Sequence, residues 1–208
     1  MSSGSRPVDI EQPTSFSFLL ENLDRVNFQL AKYPEGRQAS ALCALLDLAQ
    51  RQSGGWLPQA AMDSVAAMLD VSPIRVYEVA TFYSMFNLAP LGKHQVRVCT
   101  TTPCQLRGAD AIVAACKSNL GIAMGETSAD GEFSLGEVEC LGACVNAPVL
   151  QIGDDYYEDV DAESTGKILD ALKRGTTPDA GPQISRQTSA PAAGLTTLRA
   201  HTSVDSAS

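Results

Sequence analysis

The hydrophobic period of this chain changes once, near residue 92, and that change limits the folds open to it. Before it, apolar residues recur at helical spacing, first as Leu19, Leu23, Val26 and Leu30, then as Leu42, Leu45, Leu46 and Ala49. Ser53-Gly54-Gly55 breaks the second of these helices. Pro58 fits the first turn of a third, whose Met62, Val65 and Leu69 share a face. Ser72-Pro73 supplies an N-cap and a first-turn proline for a fourth, lined by Val76, Val79, Ala80 and Tyr83. From His94 the pattern alternates instead, with Val96 and Val98 on one face, which predicts a strand over 94–99. A helix over 105–120, a weaker strand over 132–139, a hairpin over 149–157 turning at Gly153-Asp154, and a helix over 162–174 follow.

The expected fold class is therefore α+β. A helical bundle over 16–92 precedes an α/β layer over 93–174 with a four-stranded mixed sheet. Residues 1–15 read as a flexible N-terminus and 175–208 as an extended C-terminal tail. That tail is rich in Gly, Pro, Ala, Ser and Thr, cannot alone offset its ordering entropy, and is expected to be mobile unless it orders along a partner.

Charge narrows the functional classes. The 208 residues carry 15 Lys plus Arg against 24 Asp plus Glu, a net of −9. That balance argues against nonspecific binding to nucleic acid or an anionic membrane. No apolar run is long enough to span a bilayer, so no direct membrane insertion is expected. The polar start with Asp9 and Glu11 argues against a secretory signal or transit peptide. Acidity is uneven: residues 94–174 hold 6 basic and 13 acidic side chains, a net of −7.

Four of the six cysteines, the other two being Cys43 and Cys116, are paired in that acidic segment as Cys99-x4-Cys104 and, after 35 intervening residues, Cys140-x3-Cys144. Each pair follows a predicted strand. If those strands are neighbours, four thiolates meet at one end of the sheet and suit an iron–sulfur cluster or a zinc ion. Structural zinc favours Cys-x2-Cys knuckles, disulfides need an oxidising compartment, and a dithiol redox site needs Cys-x2-Cys; the spacing favours a cluster, with a zinc-stabilised interaction module as the alternative. The loops Thr100-Thr-Thr-Pro-Cys104 and Leu141-Gly-Ala-Cys144 are small enough for backbone N–H groups to approach sulfur, with Arg107 and Gly108 expected one turn into the following helix. Cys116 and Cys43 sit on apolar helical faces and read as core residues.

Other features carry less. Residues 65–77 resemble a helix-turn-helix, but Arg75 is the one basic residue on the would-be recognition helix. Tyr77, Phe82, Tyr83 and Phe86 form an aromatic stripe that reads as core before it reads as a partner surface. His94 opens a strand and takes no role. No G-x-G-x-x-G loop is present, so no nucleotide or independent substrate site is expected. Ala147-Pro148, before the third strand, is a candidate cis bond.

Three stretches together resemble a known family. Val76-Tyr-Glu-Val-Ala-Thr-Phe-Tyr83-Ser-Met-Phe86, Cys99-Thr-Thr-Thr-Pro-Cys104-Gln-Leu-Arg-Gly108 and Glu139-Cys-Leu-Gly-Ala-Cys144-Val-Asn-Ala-Pro148 are similar to the small iron–sulfur subunits of NADH-quinone oxidoreductase, respiratory complex I. The resemblance implies a thioredoxin-like domain after the helical region, and one [2Fe-2S] cluster on Cys99, Cys104, Cys140 and Cys144, each pair serving one iron. It further implies partners: an FMN- and NADH-binding subunit whose reduced flavin gives up one electron to the cluster, and a larger iron–sulfur subunit. The implied place is the peripheral arm, on the cytoplasmic side of a bacterial inner membrane or the matrix side in mitochondria. Related subunits serve NAD-linked hydrogenases and formate dehydrogenases, and a free-standing ferredoxin is a further alternative. The tail from Gly181 to Leu198 resembles the complex I versions. In this setting the acidic domain would lower the cluster's reduction potential.

Overall fold

The computed structural model describes residues 11–194 and residue 196. Most of the flexible N-terminus expected over 1–15, and the end of the tail beyond residue 196, lie outside the described residues. The chain divides into two compact units, residues 1–91 and 92–208.

In the first unit, α1 (Leu20–Ala31), a 3₁₀ turn (Gln38–Ala41), α2 (Leu42–Gln52), α3 (Gln59–Leu69) and α4 (Pro73–Phe82) enclose one core. Of the apolar positions read from the sequence, Val26, Leu42, Leu45, Leu46, Ala49, Val65, Leu69, Val76 and Ala80 are buried and Leu23, Leu30, Met62 and Val79 partly so, whereas Leu19, at the N-cap of α1, is 53% exposed. Burying such side chains is worth roughly 1.5–3 kcal/mol each. Pro58 stands at the N-cap of α3, one residue outside the helix, and Ser72 occupies the N-cap of α4 without a side-chain capping bond. The segment after α4 is tied back by Gln50, whose amide donates to Met85 O and whose Oε1 accepts from Asn87 N–H. The aromatic stripe is not core throughout. Phe86 is buried, but α4 ends at Phe82, which is 79% exposed, and Tyr83 turns outward with it.

The second unit runs β1 (His94–Cys99), α5 (Thr102–Leu106), α6 (Ala109–Leu120), β2 (Phe133–Val138), a 3₁₀ turn (Cys144–Asn146), β3 (Val149–Ile152), β4 (Asp155–Glu158), α7 (Ala162–Lys173) and β5 (Gly181–Pro182). The sheet order is β2-β1-β3-β4-β5. β1 pairs parallel with β2, β3 pairs antiparallel with β1 and β4, and β5 pairs parallel with β4. α6 packs with α7 and against β1 and β2, over a core that includes Val96, Val98, Ile112, Leu135, Leu150 and Leu169. An Asp161–Ser164 capping box starts α7. His94 packs its ring on Phe133, and the Ala147–Pro148 bond is cis as expected.

Two differences from the sequence reading bear on the site. The sheet has five strands, not four, because Gly181–Pro182 in the tail pairs with β4. That pairing needs only backbone groups, which leave no hydrophobic period to read. The helix expected over 105–120 is two helices. It begins at Thr102, so that Cys104 lies inside its first piece, and it breaks where Gly108 takes φ 100 with Arg107 at the C-cap. Among the described residues no helix is long and apolar enough to cross a membrane.

Gly92 enters β1 against the backbone of β2. Its N–H donates to Ser134 Oγ at 2.6 Å, and a Cβ built there would stand 2.5 Å from the Phe133 carbonyl carbon. Backbone on both sides cannot yield cheaply, so Gly92→Ala is expected to lower stability by about 1–3 kcal/mol, read from the urea midpoint of the purified chain.

Candidate functional site

The two cysteine pairs lie where the parallel β1–β2 ladder ends. Its register sets Cys99 opposite Val138, so the chain leaves β2 beside Cys99 and reaches Cys140 two residues later. The first pair is interior, with Cys99 2% and Cys104 1% exposed; Cys140 and Cys144 are both exposed. Cys104 rides on α5, whose N-terminal Pro103 needs no backbone donor. Cys140 and Cys144 flank a loop that turns at Gly142, where φ of 81 suits glycine. Cys144 opens the 3₁₀ turn leading into β3, and the Tyr156 hydroxyl braces the loop by donating to Leu141 O at 3.2 Å.

All four sulfurs interact. The sulfurs of Cys140 and Cys144 are 3.3 Å apart, Cys99 and Cys104 shift each other's acidity, Cys104 feels charge at Cys144, and Cys140 and Cys144 feel charge at Cys99 across the two loops. The Leu141 N–H of the second loop is among the groups that stabilise negative charge on Cys99 in the first. Among the described residues no three His, Cys, Asp or Glu side chains surround one point as ligands of a single ion would. The donors come as two pairs of thiols, one interior and one exposed.

Within each pair one thiol is acidified and the other is not. Burial works to raise the pKa of Cys99, but hydrogen bonds from the Thr101 hydroxyl, the Leu141 and Thr101 N–H groups and Cys104 hold it below the usual thiol value. Burial, with the bond to Cys99, pushes Cys104 up to about 12. The Gly142 N–H, then Cys144 and Thr101, lower Cys140, while Cys144 is raised by sharing its hydrogen bond with Cys140. Each pair thus sets a more acidic thiol beside a less acidic one, and holding a metal requires their protons to leave. Backbone N–H groups of Leu141, Gly142 and Val149 aim at the sulfurs, in keeping with the small residues of these loops.

Thr101 is a site residue that the sequence reading does not single out. Its hydroxyl lies 3.4 Å from Cys99 Sγ and also reaches Cys140, serving one sulfur at a time with its single proton. Its place inside the Cys-x4-Cys loop is the available signal. Cys116 is fully buried on α6 in the core of the second unit, and Cys43 is partly buried on α2 against the core of the first. Leu106 and Val145 stand exposed on the two cysteine-bearing segments.

A family model described as thioredoxin-like [2Fe-2S] ferredoxin matches residues 26–173. The chain is 51% identical over 197 residues to NADH dehydrogenase [ubiquinone] flavoprotein 2, mitochondrial, of Dictyostelium discoideum, across 93% of this chain and 80% of that one. It is 55% identical over 160 residues to the E subunit of the NADH-quinone oxidoreductase of Rickettsia conorii, across 77% of this chain and 96% of that one. A solved NAD⁺-reducing [NiFe]-hydrogenase in the air-oxidised state aligns with a TM-score of 0.56 at 20% identity, covering 64% of this chain and 23% of that one, a likeness of fold. The matched span includes both cysteine pairs, and the chain belongs to the thioredoxin-like [2Fe-2S] ferredoxin family.

Proposed function

We propose that this chain is the electron-transfer subunit of an NADH-quinone oxidoreductase, holding one [2Fe-2S] cluster on Cys99, Cys104, Cys140 and Cys144. The observation that carries this reading is the parallel register of β1 and β2, which sets Cys99 opposite Val138, two residues before Cys140, so that both thiol pairs lie at one end of the ladder. The donor set fits the cofactor: four thiols in two pairs, with backbone N–H groups directed at sulfur. When bound, such a cluster takes up and gives back one electron at a time.

The chain's own residues then do three things. Cys99 and Cys104 hold the inner half away from water, and the Thr101 hydroxyl and nearby N–H groups stabilise negative charge on the sulfurs. Cys140 and Cys144, flanked by exposed Val145, present the outer half to a partner. That partner is the FMN- and NADH-binding subunit, whose two-electron hydride chemistry needs one-electron carriers beside it; a larger iron–sulfur subunit of the same complex is the second neighbour. The high identity to complex I subunits favours this host over a hydrogenase or formate dehydrogenase. Assembly in a peripheral arm, on the cytoplasmic or matrix side, follows from that host.

Anaerobically purified chain should be reddish-brown, with about two iron and two sulfide per chain, the content of a [2Fe-2S] centre. Replacing Cys99, Cys104, Cys140 or Cys144 by Ser should abolish or distort the reduced-state EPR signal, whereas Cys43→Ser and Cys116→Ser should leave it. A colourless protein with one zinc would overturn the reading. A pull-down from native extract should recover a flavoprotein whose NADH reduction generates the same signal.

Two further outcomes follow from the hydrogen bonds and thiol acidities. Against a ligating thiolate the Thr101 hydroxyl must donate, and that bond stabilises the more negative, reduced state. Thr101→Val should therefore lower the reduction potential by about 40 mV, the one-electron equivalent of a hydrogen bond worth about 1 kcal/mol, checked by redox titration. Because Cys104 is pushed up to about 12 and Cys144 is also raised, loading must expel protons. Reconstitution of the metal-free chain should quicken as pH rises from about 7 to about 9, followed by visible absorbance.

A further inference from the structure

A nearly buried ion pair anchors the tail. Arg186 Nη1 stands 3.3 Å from Asp159 Oδ2, with the two side chains 10% and 6% exposed. Removing two charges from water carries a desolvation cost that a well-packed apolar pair would avoid, so stability alone does not account for it.

The other bonds of this guanidinium point toward the cysteines. Nη1 also donates to Val145 O at 3.3 Å and to the side-chain carbonyl of Asn146. Val145 and Asn146 are the two residues after Cys144, in the 3₁₀ turn it opens. Asn146, buried in its turn, donates to the Glu158 carboxylate and to Thr188 O at 3.2 Å, and its backbone carbonyl accepts from Asp159 N–H at 2.7 Å. Asp159 holds φ 51, in the left-handed region that aspartate enters more readily than most residues. Gln183 N–H donates to Glu158 O at 2.8 Å beside β5. By itself the turn has two local backbone bonds, Asn146 N–H to Ala143 O and Ala147 N–H to Cys144 O.

We propose that Arg186 is a positioning residue for Cys144: the tail segment 181–188 straps the turn after Cys144 to the end of β4, and the guanidinium fixes where that sulfur sits. The inference rests on the [2Fe-2S] reading and extends the site to a residue 40 or more positions from the cysteines it serves. Nη1 alone makes all three contacts, donating to the Val145 carbonyl and the Asn146 amide oxygen and lying beside the Asp159 carboxylate, while Asp159 Oδ2 and Arg186 Nε have no hydrogen-bond partner of their own among the described residues; a lysine keeps the charge but not the planar guanidinium that sets these directions.

The test uses the full-length, iron-loaded chain as wild type, Arg186→Gln, Arg186→Lys, Asp159→Asn and Gly92→Ala. The last variant loosens the opposite end of β1 and controls for lost stability. Iron loss to a chelator is timed at urea concentrations that give every variant the same folded fraction, and reduced-state EPR spectra are recorded. The expected result is loss about 10–100-fold faster in Arg186→Gln than in Gly92→Ala, with altered g-values, and Arg186→Lys between them. Equal loss rates and wild-type spectra in Arg186→Gln at matched stability would overturn the proposal. If Arg186→Gln does not fold, Arg186→Lys and Asp159→Asn face the same two criteria against Gly92→Ala. A wild type that binds no iron would instead strike down the cluster reading, a result distinguishable from the first.

Discussion

The parallel ladder from His94–Phe133 to Cys99–Val138 fixes where every element of the site must go, because two strands running the same way end at the same edge. One cysteine closes β1, and the loop after β2 returns past it, so convergence of the pairs follows from register rather than from any attraction between sulfurs. Sheet pairing of this kind is set by the whole face of alternating Val96, Val98 and Leu135. A slip of one residue would turn those side chains to the wrong face, and the core would resist it. The site inherits its placement from that resistance.

Around this anchor the chain supplies donors, not bulk. Short loops of Thr, Pro, Gly and Ala let N–H groups of Leu141, Gly142 and Val149 come close to sulfur. Buried thiolates are costly unless hydrogen-bonded, and each donor offsets part of that cost before any metal arrives. The acidity of the surrounding sequence acts the other way, opposing added negative charge at longer range. The local donors and the global charge are therefore opposed settings of one quantity.

Much of this is legible in the sequence. The helices of the first unit, β1 to its end residues, the β3–β4 hairpin and α7 follow from period and punctuation, since each buries one face against the core. The break at Gly108 is not, because apolar spacing runs on through 109–120, and periodicity does not register a single left-handed residue. The fifth strand and the Arg186 network escape for a different reason: they are built from backbone groups and one ion pair distant in sequence, and neither leaves an apolar pattern. Phe82 and Tyr83 belong to an aromatic stripe that reads as core, yet Phe82, the last residue of α4, is 79% exposed and Tyr83, just past the helix end, is 44% exposed.

The unequal burial of the two cysteine pairs divides the site into a dry half and a wet half. At Cys99 and Cys104 the surrounding medium polarises little, so a dipole aimed at sulfur acts at nearly full strength. At Cys140 and Cys144 water reorients around any change of charge and mutes the same dipole. The Leu141 N–H and the Thr101 hydroxyl, both directed at Cys99, thus weigh more on the site's electronics than the Gly142 N–H, although a count of hydrogen bonds would rank them alike.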